Sequence, residues 1–497
     1  MFDIAEKAAR SVYRKFVPTV VRRLVQKIVL KVQKQTKRQF LSMIVPCYNV
    51  SLYVDEFFES LLSQADGLHD LEVICVNDGS SDDTLEKLEY WAAKRPDVIR
   101  IISQENGGLS DARNTGLAAA NGLWVNFPDP DDYLGERYLY NVRKALRIEH
   151  PAPLLATCTK LIFYFEDTDR ISDTHPLTWR FNQPINHRTT NDMGPYIHLA
   201  ANTCWLRLED ILKHNLTFDG HGWGCFEDAH LINRLFMLEN ERTVSFVKEA
   251  HYYYRKRQNA TSLVDTAKIK KSYWLSQMED GYLDLIKKAR NVHGNVPLYV
   301  QRTVLYEMMV RIHTSVRDPN SIHSVLTKKE FEESKKTFHA IIDGIDAKII
   351  SNFELGRCYE EHKTGLLSRY KGLRRKKIRI YLKSHNPKAE TMRFSWYEGG
   401  DDNITIKALV NGQPSKGLIM GTRQTYLYDE PYYQEKFIDV PIKLGDSLQW
   451  QVEGGSAVMR FRGRPLNNEA TWLDLVNALR TSRLDQNGFN ANFEARK

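Results

Sequence analysis

No apolar stretch in this 497-residue chain approaches the ~20 residues that cross a bilayer, and the N-terminus lacks the short apolar core of a signal peptide. The chain is therefore expected to be neither integral nor exported by that route. Cysteine is scarce: Cys47, Cys75, Cys158, Cys204, Cys225 and Cys358 are scattered without a CxxC pair. That spacing argues against a disulfide framework or a structural zinc, and for a reducing cytosol where thiols pack as small hydrophobes. His175, His187, His198, His221 and His230 likewise show no metal-ligand spacing and read as ordinary residues.

Excess positive charge is absent from most of the chain. The net charge is +8, yet residues 1–38 alone hold eleven lysines and arginines against Asp3 and Glu6, a net +9, which leaves −1 for everything after them. Along that segment Ala5, Ala9, Val12, Phe16, Val20, Leu24, Ile28 and Val32 recur at helical spacing between cations, with Pro18 placed to kink or divide the helix. A basic amphipathic helix can lie in the headgroup layer of an anionic membrane. It can equally dock on the protein's own body or in a homo-oligomer interface. No nucleic-acid motif accompanies the charge, so nucleic acid is not an expected partner.

What the chain does have, from Phe40 onward, is alternation of short apolar runs with helical stretches: Leu41–Cys47, Val54–Leu62, Leu71–Val76, Thr84–Ala93, Ile99–Ile102, Leu109–Ala120 and Leu123–Phe127. This predicts an α/β fold, a parallel sheet with helices on both faces, and a ligand at the carboxyl ends of the strands. The polar elements fall at those ends. Pro46-Cys47-Tyr48-Asn49 follows the first strand. Asn77-Asp78-Gly79-Ser80 follows the second, where Asp78 can accept from a nucleobase ring N–H. Asn106-Gly107-Gly108, then Arg113 one turn into a helix, are expected to form an anion site, the alternative for each of these elements being a turn with a helix cap.

The fourth run ends in Phe127-Pro128-Asp129-Pro130-Asp131-Asp132, three carboxylates in four positions. Hard divalent ions take one or two carboxylates together with substrate phosphates, so Asp-x-Asp after a strand suggests a metal-diphosphate site. The bland reading is a turn capping the next helix, a role that suits Asp132.

Together these motifs, in this order over about 90 residues, resemble the inverting nucleotide-sugar glycosyltransferases of family 2, which have the GT-A fold, a Rossmann-like nucleotide-binding domain. The resemblance implies a base and ribose pocket from Pro46, Tyr48, Asp78 and Arg113, with Asn49, Ser80, Asn106 and Gly107 in the donor site. It places Asp129 near the ribose or the metal, and Asp131 on a Mn²⁺ or Mg²⁺ that bridges the diphosphate. The family often has Leu-Asp-Ser-Asp-Asp here. This chain has Pro128 and Pro130 instead, and Pro130 removes a backbone N–H that a phosphate or sugar could use.

Downstream, Gly222 to Leu235 looks like the family's acceptor motif, with Asp228 as general base and Glu227 beside it. The alternative is two acids favoured by a helix dipole. His251 to Ser262 resembles the closing segment that approaches the diphosphate. Arg255 and Arg257 alternate there and so should face opposite ways, with Arg257 toward the donor. His221 is a candidate for the acceptor pocket, and Trp205 and Trp223 for either a sugar platform or the core.

Past residue 265 the resemblance ends. Tyr273–Ala289, Val300–Val316 and Lys328–Ile342 read as helices, and alternating runs from Ile378 to Phe461 as a small β-sandwich, followed by a helix over Glu469–Leu484. Trp396, Tyr397, Tyr426, Tyr428, Tyr432 and Tyr433 could bind saccharide, or serve core and interface. The expected division is 1–38 basic helix, 39–265 catalytic domain, 266–372 helical region, 373–465 β-rich domain, and 466–497 helix and tail.

The expected function is a hexosyltransferase that moves a sugar from a nucleotide-sugar donor, UDP-linked, to a glycan or glycolipid acceptor at the inner face of the bacterial plasma membrane. The product would be a capsule, lipopolysaccharide or teichoic-acid-like polymer. The alternatives are a same-fold transferase acting on a protein or polyol-phosphate, and a non-catalytic saccharide-binding scaffold.

Overall fold

A computed structural model of the chain describes residues 39–219, 223, 225–257, 266–356, 359–399, 404–461, 464–467 and 469–479. The expected helix of residues 1–38, His221, Gly222, Gly224, Gln258 to Ser262, Cys358 and residues 480–484 lie outside the described residues. The chain forms two compact units. One holds the described residues up to Ala267 with Lys287–Tyr299; the other holds Lys268–Ile286 and the described residues from Val300 onward.

The first unit grows from β1, Gln39–Cys47, whose residues Leu41 to Cys47 are all buried. Such a run fits a strand covered on both faces. It pairs in parallel with β2, Leu71–Asn77, and on its other side with β4, Gly122–Asn126; β2 pairs in parallel with β3, Ile99–Ser103. The crossovers are α1, Val54–Leu62, α2, Thr84–Lys94, and α3, Leu109–Ala119. All three fall within a residue of their expected ends.

Beyond β4 the sheet becomes mixed. After β5, Tyr133–Leu134, and α4, Tyr138–Arg147, come β6, Leu154–Phe165, β7, Arg170–Ser172, β8, Ile185–Thr189, β9, Cys204–Arg207, α5, Leu208–Lys213, α6, Glu227–Leu238, and β10, Thr243–Lys256. The strand order is β3-β2-β1-β4-β9-β6-β10-β5, with β7 on β6 and β8 on β10. β9 runs antiparallel to both neighbours, so the segment that enters it reaches the carboxyl ends of β1 and β4. That reversal brings residues around 200 to the predicted site.

The helix expected over Tyr273–Ala289 is broken into α7, Lys271–Trp274, a π-helical turn at Gln277–Leu283, and α8, Asp284–His293. The cause is Arg311 on α9, Leu298–Arg317. Its buried guanidinium takes the Tyr273 carbonyl, the Gln277 side chain and the Tyr282 hydroxyl, which keeps that carbonyl out of a regular helical ladder. α10, Lys328–Asp343, and α11, Glu360–Lys371, complete the helices that matter here.

The β-rich part comprises β11, Lys377–Asn386, β12, Thr391–Gly399, β13, Ile406–Val410, β14, Gln413–Pro414, β15, Leu418–Leu427, β16, Glu430–Pro441, β17, Ser447–Val452, β18, Ser456–Phe461, β19, Arg464–Pro465, and β20, Glu469–Thr471. Two sheets, β15-β16-β12-β11-β18-β19 and β14-β13-β17-β20, share one core that includes Ile380, Phe394, Val440, Leu448 and Met459. The final helix does not start at Glu469. Residues 469–471 pair with β17, and Thr471 with Asp474 caps a helix over 472–479. Trp396, Tyr428, Tyr432 and Tyr433 are buried in this unit and Tyr397 is half-buried, so of the expected saccharide aromatics Tyr426 is the exposed one.

Gly116, in the middle of α3, shows how tightly the helix meets the sheet: a Cβ there would lie 2.2 Å from Ile44 Cγ2 on β1. Because the Ile44 branch is stiff, Gly116→Ala should destabilise the protein by about 1–3 kcal/mol despite its better helix propensity. A lowered urea midpoint in equilibrium unfolding is the expected result.

Candidate active site

At the carboxyl ends of β1 and β2 two loops are stitched together. Asp78 N–H donates to the Cys47 carbonyl at 2.8 Å, Asn49 takes a left-handed conformation and its Oδ1 accepts from Ser81 N–H, and Asn49 N–H donates to Ser80 Oγ. Tyr48 is half exposed at the lip, and Pro46 is buried in β1 opposite Val76. Asp78 is itself buried. Its carboxylate accepts from Gly107 N–H at 2.9 Å, Gly108 N–H at 2.8 Å and Gln104 Nε2 at 2.6 Å. It therefore holds the glycine loop in place. Gly79 (φ +74°) passes so close to Asn106 N that a Cβ would meet it at 2.9 Å, while the Asn106 side chain is exposed.

The prolines of the acidic motif now have a physical account. Pro130 is the second residue of a turn closed by Asp132 N–H to the Asp129 carbonyl, the position that a fixed φ favours. With prolines on both sides, Asp129 supplies the N–H of the triplet 128–130, and the Tyr252 hydroxyl accepts it at 3.0 Å. Asp132 is not a helix cap: α4 begins six residues later, and Asp132 is buried against β10, accepting from Arg255 N–H at 2.8 Å. Burial, then Asp131 and Asp129, raise its carboxyl well above the ordinary range.

Arg113, expected in the base and ribose pocket, lies 2% exposed beneath three carboxylates. Nη1 donates to Asp228 Oδ1 at 2.6 Å and Glu227 Oε1 at 3.0 Å, and Nη2 to Asp129 Oδ1 at 3.1 Å. Glu227 and Asp228 open α6, after Phe226 in the left-handed region at φ +83°. Burial pushes Asp228 up to about 6, aided by Glu227 and opposed by Arg113 and the Ala201 N–H. Asp129 also rises to about 6, through burial and then Asp131 and Asp228, against Arg113 and Asn202. Burial works against the Arg113 charge, but the three carboxylates outweigh it and hold the guanidinium protonated.

Arg255 and Arg257 do not diverge. β10 ends at Lys256, so Arg257 leaves the strand geometry, and both guanidinium carbons lie over the Tyr53 ring, at 5.2 and 4.7 Å. Arg255 is buried and fully used: it donates to the Asp131 carbonyl at 2.7 Å and pairs with Glu56 and Glu166. Arg257 pairs with the Asp131 carboxylate. The side chains of Asp131 and Asp129 remain about a quarter exposed, at 22% and 26%. Two reachable hard-oxygen ligands in a region of surplus negative charge are of the kind that would hold a Mg²⁺ or Mn²⁺.

Trp205 is buried and donates to the Tyr138 hydroxyl, and Trp223 is buried too, so neither forms a sugar platform. Cys158, His198 and Cys204, fully buried, place their ligand-type atoms within 4.8 Å of one another, a grouping invisible in the sequence spacing. Both His198 nitrogens are already engaged, Nδ1 by Arg180 and Nε2 by the Ala200 carbonyl, each at 3.0 Å. Gln104, Asn126, Asn202, Tyr252 and Glu56 also serve the site and were missed. A polar residue inside a buried apolar run, as at Asn126, was the available signal.

Replacing Arg113 by Met should leave buried carboxylates without their cation and destabilise the protein by about 3–5 kcal/mol at pH 8. Asp129 and Asp228 hold protons up to about pH 6. Once protonated they no longer need the guanidinium, so the deficit should shrink as the pH falls from 8 to 5. Denaturant titrations of both proteins at the two pH values measure it.

Residues 42–216 match the model of glycosyl transferase family 2. The minor teichoic acid biosynthesis protein GgaB of Bacillus subtilis (strain 168) is 28% identical over 309 residues, 62% of this chain and 33% of that protein. Its counterpart GgaA is 28% identical over 332 residues, 66% of this chain and 71% of that protein. The chain thus spans a third of the length of one relative and nearly three quarters of the other. A crystal structure of S. aureus TarS 1-349 in complex with UDP-GlcNAc superposes with a TM-score of 0.50 at 20% identity, covering 66% of this chain and 87% of that one. Residues 42–216 are thus a glycosyl transferase family 2 domain, with the GT-A fold.

Proposed function

We propose that the protein is a metal-dependent inverting glycosyltransferase that moves a sugar from a UDP-linked donor to a hydroxyl of a bacterial surface glycan, with Asp228 as the general base. The observation that carries this reading is Asp228 itself. It opens a helix at the carboxyl edge of the sheet, oriented by Arg113 and the Ala201 N–H, next to Asp129 and on the same side as Asp131 and Arg257. The complex of TarS with UDP-GlcNAc supports the choice of donor.

In the proposed reaction the acceptor oxygen forms its bond to the anomeric carbon from the face opposite the diphosphate. The bond from that carbon to the phosphate oxygen breaks, and its electron pair leaves with the nucleotide. Asp228 takes the acceptor's proton; raised to about 6, it is ionised at neutral pH yet a better base than an ordinary carboxylate. Arg113 keeps its oxygens aimed, Glu227 stands beside it for acceptor contacts, and Arg257 offers a cation to the departing diphosphate. A Mg²⁺ or Mn²⁺ held by Asp131, with Asp129 alongside, would supply further positive charge there.

For the acceptor, the naming of GgaA and GgaB for minor teichoic acid biosynthesis favours a teichoic-acid-like polymer among bacterial surface glycans. The basic segment 1–38 supports a place at the inner face of the plasma membrane, close to such an acceptor.

UDP release from UDP-sugars with Mn²⁺ tests the site. Asp228→Asn should lower turnover by about 10²–10⁴-fold while still binding UDP, and Asp131→Ala should lose its dependence on Mn²⁺. Turnover of the parent should fall on the acid side as Asp228 gains its proton near pH 6; unchanged turnover in Asp228→Asn would sink the base assignment. Separately, removal of residues 1–38 should release the protein from phosphatidylglycerol-containing liposomes in a flotation assay, and binding that survives the deletion refutes the membrane role.

A further inference from the structure

Asn126 ends β4 between Val125 and Phe127, and all three are fully buried. An amide in such a strand is costly unless its hydrogens are used. They are: Nδ2 lies 3.0 Å from each of the carbonyl oxygens of Ala201, Asn202 and Cys204. Turning the amide over would set Oδ1 against three carbonyl oxygens, so the nitrogen is the atom that points there. Oδ1, by contrast, is buried and finds no hydrogen-bond partner. A fully satisfied apolar strand end would need no such group, and an unsatisfied polar atom kept beside a site calls for a reason.

The reason lies in what the three carbonyls belong to. Ala201–Thr203 is a single 3₁₀ turn that leads into β9, and two donors leave it for the carboxylates. Ala201 N–H donates to Asp228 Oδ2 at 2.8 Å, and Asn202 Nδ2 donates to Asp129 Oδ2 at 3.0 Å. Arg113 takes the other oxygen of each, Oδ1 of Asp228 and Oδ1 of Asp129. A carboxylate held at one oxygen can still turn about its Cβ–Cγ bond, whereas one held at both oxygens from different directions has its plane fixed. The turn supplies the second hold on both.

Asn126 is also three residues from Asp129 through Phe127 and a proline, so it ties the strand that delivers Asp129 to the turn that grips Asp129 and Asp228. We infer that Asn126 is a positioning residue. It touches neither the donor nor the acceptor, and by suspending the Ala201–Thr203 turn it sets the orientation of Asp228 and Asp129 together. Neither an aspartate, which has no hydrogens to offer, nor a leucine, which brings no donor to the turn, can do this. The inference rests on the reading of Asp228 as the base.

The test is steady-state kinetics on the full chain with UDP-sugar and Mn²⁺, alongside melting temperature and UDP binding by calorimetry. Asn126→Ala should lower kcat by about 10–100-fold, the scale of a small misplacement of reacting groups. Its acceptor KM should change by no more than about twofold and its UDP affinity little. Asn202→Ala, which removes the hold on Asp129 alone, should act mainly on donor KM. In the double variant donor KM should rise no further than in the more affected of the two single variants, because both substitutions work through one turn.

A well-folded Asn126→Ala with kcat within about twofold of the parent overturns the inference, and so do donor KM effects that multiply in the double variant. If Asn126→Ala fails to fold, Asn126→Ser, which keeps one hydroxyl donor, carries the same expectations with a smaller loss, and parental kcat in it is equally fatal. Asp228→Asn separates the two levels. If that variant turns over normally, the base reading falls and takes this inference with it. If it is inactive while the Asn126 variants keep their kcat, the positioning role alone is wrong.

Discussion

One buried guanidinium against three carboxylates sets the terms for this protein. Arg113 is within hydrogen-bond distance of Asp129, Glu227 and Asp228, and a single positive charge cannot neutralise three negative ones. The surplus has two consequences. Burial drives Asp129 and Asp228 toward protonation instead of leaving them as ordinary acids. The site also has room for another cation at its open edge, where Arg257 already pairs with Asp131. Charge imbalance in a desolvated place is a common mark of reactive sites, and here it coincides with the end of the sheet where the fold delivers its loops.

The sheet explains why the carboxylates meet. β1 to β4 bring Asp78, the glycine loop and Asp129 to one edge by parallel pairing. The reversal at β9 then returns the chain so that the Ala201–Thr203 turn lies across the same edge. α6 starts there, after Phe226 in a left-handed conformation that a phenylalanine adopts only when its surroundings insist. Each segment is ordinary by itself; their convergence makes the site.

That division also explains what could be read from the amino acids alone. β1 to β4 and their helices are coded locally, by apolar runs with turn residues at their ends, so their limits fell within a residue or two of the expected ones. The acidic motif and the Glu227-Asp228 pair stood out because acids at those places are conspicuous. The fate of Arg113 did not, since a guanidinium one turn into a helix looks the same whether it faces a ligand or a buried carboxylate 115 positions away. Asp132 passed for a helix cap because its partner, the Arg255 backbone, lies 123 positions on. The π-turn at Gln277–Leu283 depends on Arg311, and the strand at Glu469–Thr471 on its pairing with β17. In each case the deciding contact is long-range, and periodicity carries no information about it.

The wide separation of the hub's members along the chain bears on how the protein comes into being. Arg113 and Asp129 emerge from the ribosome about a hundred residues before Glu227 and Asp228. During that interval the edge of the half-made sheet carries a guanidinium and a carboxylate whose other partners do not yet exist. Water must serve them until α6 arrives, so the four groups can dehydrate together only late, after the non-local pairing of β9 and β10 has closed. That edge is thus among the last parts of this domain to become dry, and a chain stalled before α6 would display the loops after β1 to β4 without the carboxylates that α6 brings.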